Sequence, residues 1–319
     1  MSPRARVLVL VTAAAVLVVT AVIAGALLQS DGRGADSSSP APPLHLGILP
    51  GEPHARELIS AERDYGRGER ETALRKFRAV LRADPASIEA AVGAALAAWP
   101  EGSLGRLRAL VDSHPGSGVA RLHLGLVVGA AGYPREAERE WREAEARDPD
   151  TPAALEAESL LHPNMAPGRP VFITAAQPPA SIRTLATVPQ EAALRRRAER
   201  GGAAEWLVLG TFLQRIERPV SARRAYDRAL ELAPESLEAR TAVAVVRFDK
   251  DDPADAFSRL GPLARSNPRS SLVRFHLGVL LLWIQAVDEA TKQLKLATQG
   301  NGQFYALQAE DLLSRLSQI

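Results

Sequence analysis

Residues 206–234, WLVLGTFLQRIERPVSARRAYDRALELAP, carry the pattern from which the rest of the chain can be read. Leu207, Leu209 and Leu213 recur at helical spacing, and after the break at Glu217-Arg218-Pro219 a second apolar set follows at Ala222, Tyr226, Ala229 and Leu230. Two short amphipathic helices therefore stand back to back. Gly210 and Ala222 lack bulk where the two backbones must approach, while Trp206 and Tyr226 are large enough to fill the groove beside them. Pro234 cannot continue a helix and turns Ala233 away from helical geometry, so it ends the unit. Such a pair leaves an apolar face open on each side and needs neighbours.

The neighbours are found by their period. Pro115 to Pro149 is 34 residues, Pro234 to Pro268 is 34, and Gly302 falls 34 after Pro268. In the unit ending at Pro149, Leu124-Gly125, Ala137, Trp141 and Ala144 take the places of Leu209-Gly210, Ala222, Tyr226 and Ala229. They become Val243-Ala244, Ala256, Leu260 and Leu263 in the unit ending at Pro268, then Leu277-Gly278, Ala290, Leu294 and Ala297 in the last. Two earlier units are degenerate. The first keeps Ala73, Phe77 and Val80 but has Ser60-Ala61 in its first helix, and the second is four residues short, since Pro85 to Pro115 is only 30.

The spacing of Trp206, Leu209-Gly210, Leu213, Ala222, Tyr226, Ala229 and Pro234 resembles the tetratricopeptide repeat, with Leu213 where Tyr is usual and Tyr226 where Phe is usual. The resemblance implies an all-α fold, a right-handed α-solenoid of tetratricopeptide-type helical hairpins, preceded here by one N-terminal transmembrane helix. Repeat-like hairpins are expected over 54–150, a split repeat with a Pro-rich insertion at 163–189 over 151–202, three hairpins over 203–302 and a capping helix over 303–319. The cap is expected to turn Leu307, Leu312 and Leu316 to one side.

Ahead of the array, Arg4 and Arg6 precede an uncharged apolar run from Val7 to Leu28. Those residues make about 33 Å of helix, enough to cross a hydrocarbon core of about 30 Å. Residues 1–30 are thus read as a signal-anchor, with a cleaved secretory signal as the competing reading because Ala21 to Ala26 offers small residues. Two arginines before the run against Arg33 just after it predict a single-pass protein with a cytoplasmic N-terminus and an extracytoplasmic repeat domain. Residues 31–53, rich in Gly, Ser and Pro, read as a flexible linker.

Composition narrows the function. The 39 basic and 37 acidic residues nearly cancel, which gives no basis for a nucleic-acid partner. The chain has no cysteine, so neither disulfides nor thiolate metal sites are available. Its Ala-rich, Arg-rich and Lys-poor make-up points to a GC-rich bacterial genome. There is no phosphate-binding glycine loop, no His-Glu-x-x-His and no Gly-x-Ser-x-Gly, and the histidines at 45, 54, 114, 123, 162 and 276 show no ligand spacing. His123 and His276 read as partly buried helix residues. Asp249, Asp251, Asp252 and Asp255 read as a turn and cap before Ala256, and Arg195 to Arg197 as a solvated face. No catalytic residue, cofactor or metal is expected.

What remains is surface. The resemblance implies that first helices line a groove, whose candidate residues are Leu122, Leu207, Thr241 and Phe275 in one column and Leu126, Thr211, Val245 and Val279 in the next. The Lys and Asn carboxylate clamp of the family's chaperone-binding members is missing at these positions, so an apolar or amphipathic protein or peptide ligand is expected instead. Alternatively, neighbouring units or the chain itself cover them. Val171, Phe172 and Ile173 form an apolar patch within the insertion that either docks on the array as an internal ligand or belongs to a mobile loop. The expected function is a membrane-anchored protein-interaction scaffold, or else an accessory subunit of an envelope enzyme or assembly machine, such as one for cytochrome maturation or cell-wall synthesis. Nothing in the sequence speaks for or against self-association.

Overall fold

Pro85, Pro115, Pro234 and Pro268 each stand two residues before a serine, and those serines start helices. The hydroxyls of Ser87, Ser117, Ser236 and Ser270 accept the N–H groups of Ala90, Ala120, Ala239 and Val273 at 3.2 to 3.3 Å, satisfying donors that have no partner within the first turn. Pro134 and Pro219 open two further helices, where a missing N–H is harmless.

The computed structural model describes residues 40–317, which contain sixteen helices. In chain order these are α1 Ala55–Gly66, α2 Arg70–Ala83, α3 Ile88–Ala97, α4 Ser103–Ser113, α5 Gly118–Ala130, α6 Pro134–Arg147, α7 Pro152–Leu161, α8 Ala180–Arg183, α9 Thr187–Arg200, α10 Ala203–Arg215, α11 Pro219–Leu232, α12 Leu237–Val246, α13 Ala254–Ser266, α14 Ser271–Trp283, α15 Val287–Thr298 and α16 Gln303–Ser317. An isolated bridge between Ser270 and Asn301 is the nearest thing to a strand among the described residues.

The described residues fall into two units, one of 40–161 with 186–188, the other of 162–185 and 189–317. In the first, hairpins α1/α2, α3/α4 and α5/α6 are followed by α7, which packs on α5 and α6. In the second, hairpins α10/α11, α12/α13 and α14/α15 are followed by α16, which packs on α14 and α15. Within each unit a first helix also touches the first helix of the next hairpin. First helices thus form one continuous layer in each unit.

Small residues decide how close the helices of a hairpin can come. A Cβ at Gly210 would fall inside the Tyr226 ring, and one at Gly125 inside the Trp141 indole. Gly278 is closed off by Leu294 in the same way, and between consecutive hairpins Gly93 of α3 is closed off by Phe77 of α2. Leu124, Ala137, Trp141, Leu209, Ala222, Tyr226, Ala256 and Ala290 are buried around these contacts, while Trp206 and Leu277 are half-buried at the edge of the second unit's core.

Three expectations are corrected. The linker expected over 31–53 is packed structure from residue 40 onward, because Leu44 and Leu46 are buried in the first unit's core. The single split repeat expected over 151–202 does not form one hairpin. Its first part, α7, closes the first unit through Ala153 and Ala157, whereas Leu194 and Ala198 of α9 belong to the second unit's core. In α16, Leu312 and Leu316 pack against the core as expected, but Leu307 is 54% exposed and the buried residues are Tyr305 and Ala309, Tyr305 reaching a carboxylate described below. The signal-anchor expected at 1–30 lies outside the described residues, among which no helix is long and apolar enough to cross a membrane.

Candidate peptide-binding grooves

All eight residues expected to line an open groove are buried: Leu122, Leu126, Leu207, Thr211, Thr241, Val245, Phe275 and Val279. Open they are not. Leu122 and Leu126 share one apolar cluster with Leu44 and Leu46, and Leu207, Val245, Phe275 and Val279 share another with Phe172. The Thr211 hydroxyl donates to the Tyr226 hydroxyl oxygen at 3.2 Å, and the Thr241 hydroxyl donates to the Leu237 carbonyl at 2.7 Å. The chain itself buries these positions, and in each unit an extended segment contributes apolar residues to the same cluster.

In the first unit the segment is 40–49, and Pro42, Leu44 and Leu46 point inward at the period of two that extended backbone imposes. The Tyr65 hydroxyl of α1 donates to the Pro42 carbonyl at 2.5 Å. His123 Nε2 on α5 accepts the His45 N–H at 3.1 Å, and Glu62 Oε1 on α1 accepts the Leu46 N–H at 3.0 Å. His123 can accept because its Nδ1–H donates to the Val119 carbonyl at 2.7 Å, which leaves the lone pair on Nε2. Burial holds the His123 imidazole down at about 4, so it is neutral near pH 7. Burial also pushes the Glu62 carboxyl up, opposed by the Leu46 N–H, and raises the Tyr65 phenol.

In the second unit the segment is the insertion, and Pro170, Phe172 and Thr174 point inward. Gln214 of α10 grips two backbone groups: its Nε2 donates to the Pro170 carbonyl at 3.1 Å and its Oε1 accepts the Phe172 N–H at 2.9 Å. The Tyr226 hydroxyl, 2.7 Å from the same Oε1, sets the orientation of that amide. His276 Nε2 on α14 accepts the Ile173 N–H at 3.2 Å, its Nδ1–H being given to the Leu272 carbonyl at 2.8 Å, and burial again lowers this imidazole to about 4. Phe172 is fully buried, stacked on the His276 ring at 4.7 Å and edge-on to Tyr226 at 5.5 Å. Glu238 of α12 accepts from the Thr174 hydroxyl at 2.7 Å and from the Tyr305 hydroxyl at 3.0 Å. Burial and this carboxylate both raise the Tyr305 phenol.

The two grooves are versions of one design. The residue that donates to the inward proline's carbonyl is Tyr65 in one and Gln214 in the other, and in both a histidine accepts the N–H three residues after that proline. Flanking contacts repeat as well. Arg121 reaches the Pro115 carbonyl and Glu140, and Arg274 reaches the Pro268 carbonyl and Gln293. The groove residues Glu62, Tyr65, His123, Gln214, Glu238 and His276 all lie on first helices and were not among the expected lining. One signal could have found the histidines: Arg121-Leu122-His123-Leu124-Gly125 returns as Arg274-Phe275-His276-Leu277-Gly278.

The acidic cluster has become an anchor for the insertion. Asp249 pairs with Arg169 at 3.3 Å and Asp255 with Arg259 at 2.9 Å, while His162 Nε2 lies 3.1 Å from the Asp251 carboxylate. Arg195 to Arg197 are exposed, Arg195 bonded to Glu191 and Arg197 to Glu205.

No protein-family model matches the sequence, and no curated protein matches it. Solved structures do. A tetratricopeptide repeat protein from Parabacteroides merdae is similar at 12% identity and a TM-score of 0.34, covering 83% of this chain and 98% of that one. YrrB, described as a tetratricopeptide protein with an unusual peptide-binding site, is similar at 15% identity and 0.31, covering 64% and 97%. Yeast Tom70 is similar at 12% and 0.32, covering 84% and 64%.

Proposed function

We propose that this chain is a non-enzymatic protein-interaction scaffold, held in a membrane by the apolar run from Val7 to Leu28 with its helical body on the extracytoplasmic side, and that it recognises partners through extended peptide segments. One observation carries the reading. Two separate helical layers each hold an extended, apolar segment by its backbone groups in the same register, with His123 and His276 as matching acceptors. Backbone hydrogen bonds supply affinity for any extended chain, and pockets at alternate residues select which one. The anchor is supported by the length of the run and by Arg4 and Arg6 before it.

Crosslinking in intact cells, followed by isolation from solubilised membranes, tests the reading. A partner protein recovered at near-equal amounts is the expected outcome, and recovery of the chain alone would refute it. Should that partner be an envelope enzyme, the chain is an accessory subunit of that enzyme.

A further inference from the structure

The two internal segments are not held equally. In the second unit the insertion is tied by the ring stack of Phe172, the double grip of Gln214, the Thr174 bond to Glu238, the Arg169 pair with Asp249 and a bond from Trp283 Nε1 to the Gly168 carbonyl at 3.2 Å. In the first unit no ring of the segment stacks in the groove. Leu44 and Leu46 fill it with flexible aliphatic chains, backbone groups of Pro42, His45 and Leu46 are bonded to Tyr65, His123 and Glu62, and the His45 ring acts on Glu62 through its charge alone, with no stack or ion-pair contact in the groove. Along the chain this segment is connected to α1 by the short turn at 50–54.

From that contrast we propose that residues 42–46, Pro-Pro-Leu-His-Leu, are a displaceable internal ligand of the first groove, whose other occupant is an uncharged extended Pro-x-Leu-x-Leu segment of a partner protein. The proposal rests on the protein-binding reading above and adds the sequence that the groove selects. Each position has a physical reason. The proline places its carbonyl against the Tyr65 hydroxyl. The third and fourth residues after it must carry N–H groups for His123 and Glu62, which excludes proline there. The second and fourth side chains enter a cluster made of Leu58, Leu122, Leu126 and their neighbours, where a charge would be buried without a partner. A tethered competitor acts at an effective concentration in the millimolar range, so the partner enters only when its own affinity or a second contact outweighs that tether.

The test keeps the chain whole and needs no substitution in the groove. A protease site is inserted between Gly51 and Glu52, in the turn, and a fluorescent peptide of residues 40–50 is added before and after cleavage. Binding that is tighter by about ten-fold or more after cleavage is expected, because cutting abolishes the effective concentration of the segment. The same peptide with Leu44→Asp, or with its His45 amide N-methylated, is expected not to bind. Equal binding before and after cleavage would show that the segment does not compete, and absence of binding after cleavage would show that it is not exchangeable; either overturns the proposal. If the peptide enters after cleavage yet cellular crosslinking returns no partner, it is the scaffold reading that fails. If a partner is crosslinked but the peptide never enters, only the displaceable ligand is lost.

Discussion

His123 and His276 are neutral because charging them would strand a cation among apolar side chains and destroy the acceptor that each offers to an extended segment. Both are held at about 4 in the fold, against about 6.5 when unfolded. Between those values the unfolded chain binds the proton first, so stability is complete above about pH 6.5 and is lost toward pH 4 by roughly 1.4 kcal/mol per pH unit for each histidine. Glu62, whose carboxyl is pushed up, works in the opposite direction within the carboxylate range. Urea midpoints are expected to fall between about pH 7 and pH 5, and His276→Gln is expected to flatten the second unit's share of that fall. A flat profile would contradict the burial of both rings. At Gly210 the Tyr226 ring leaves no room for a side chain, so Gly210→Leu is expected to destabilise by roughly 1–3 kcal/mol or more. Phe172→Ala, which empties the stack on His276, is expected to cost about 3–5 kcal/mol. Chemical denaturation measures both. Gly210 was legible in the sequence because small residues recur at a period. Gln214 was not, since nothing in its neighbours tells that its amide faces another part of the chain.

At the scale of elements, the serines after the repeat prolines behave as local chemistry dictates, and Ser236→Ala is expected to cost about 1 kcal/mol through loss of the bond to the Ala239 N–H. The insertion is different. Its prolines announce a non-helical segment, but its conformation comes from α10, α12 and α14, whose Gln214, Glu238 and His276 satisfy its backbone and its Thr174. Deleting 164–187 is expected to lower the melting temperature and to raise binding of an apolar dye, as Tyr226 and His276 lose the Phe172 ring packed against them within the second unit's core. Neither change appearing would mean that the segment is dispensable packing. The segment at 40–49 hid better still, because a run of Pro, Ala and Gly around Leu44 and Leu46 has the composition of a tether.

For the whole molecule, each unit keeps its own core: the apolar cluster around Phe77 and Leu122 shares no residue with the one around Tyr226 and Leu260. Destabilisation by Phe172→Ala is therefore expected to raise amide hydrogen exchange across α10 to α16 and to leave α1 to α6 unchanged, and exchange rising equally in both would show that one cooperative core exists. The sequence alone determined the hairpins, their period and the places where backbones touch, because helix propensity, proline breaks and the alternation of small with large side chains act over a few residues. Only the tertiary structure decided which surface stays open. Two stretches without helical periodicity, 40–49 and 164–176, settle on helices, some of them far away in sequence, since their unpaired backbone groups and apolar side chains find partners there that no local pattern encodes.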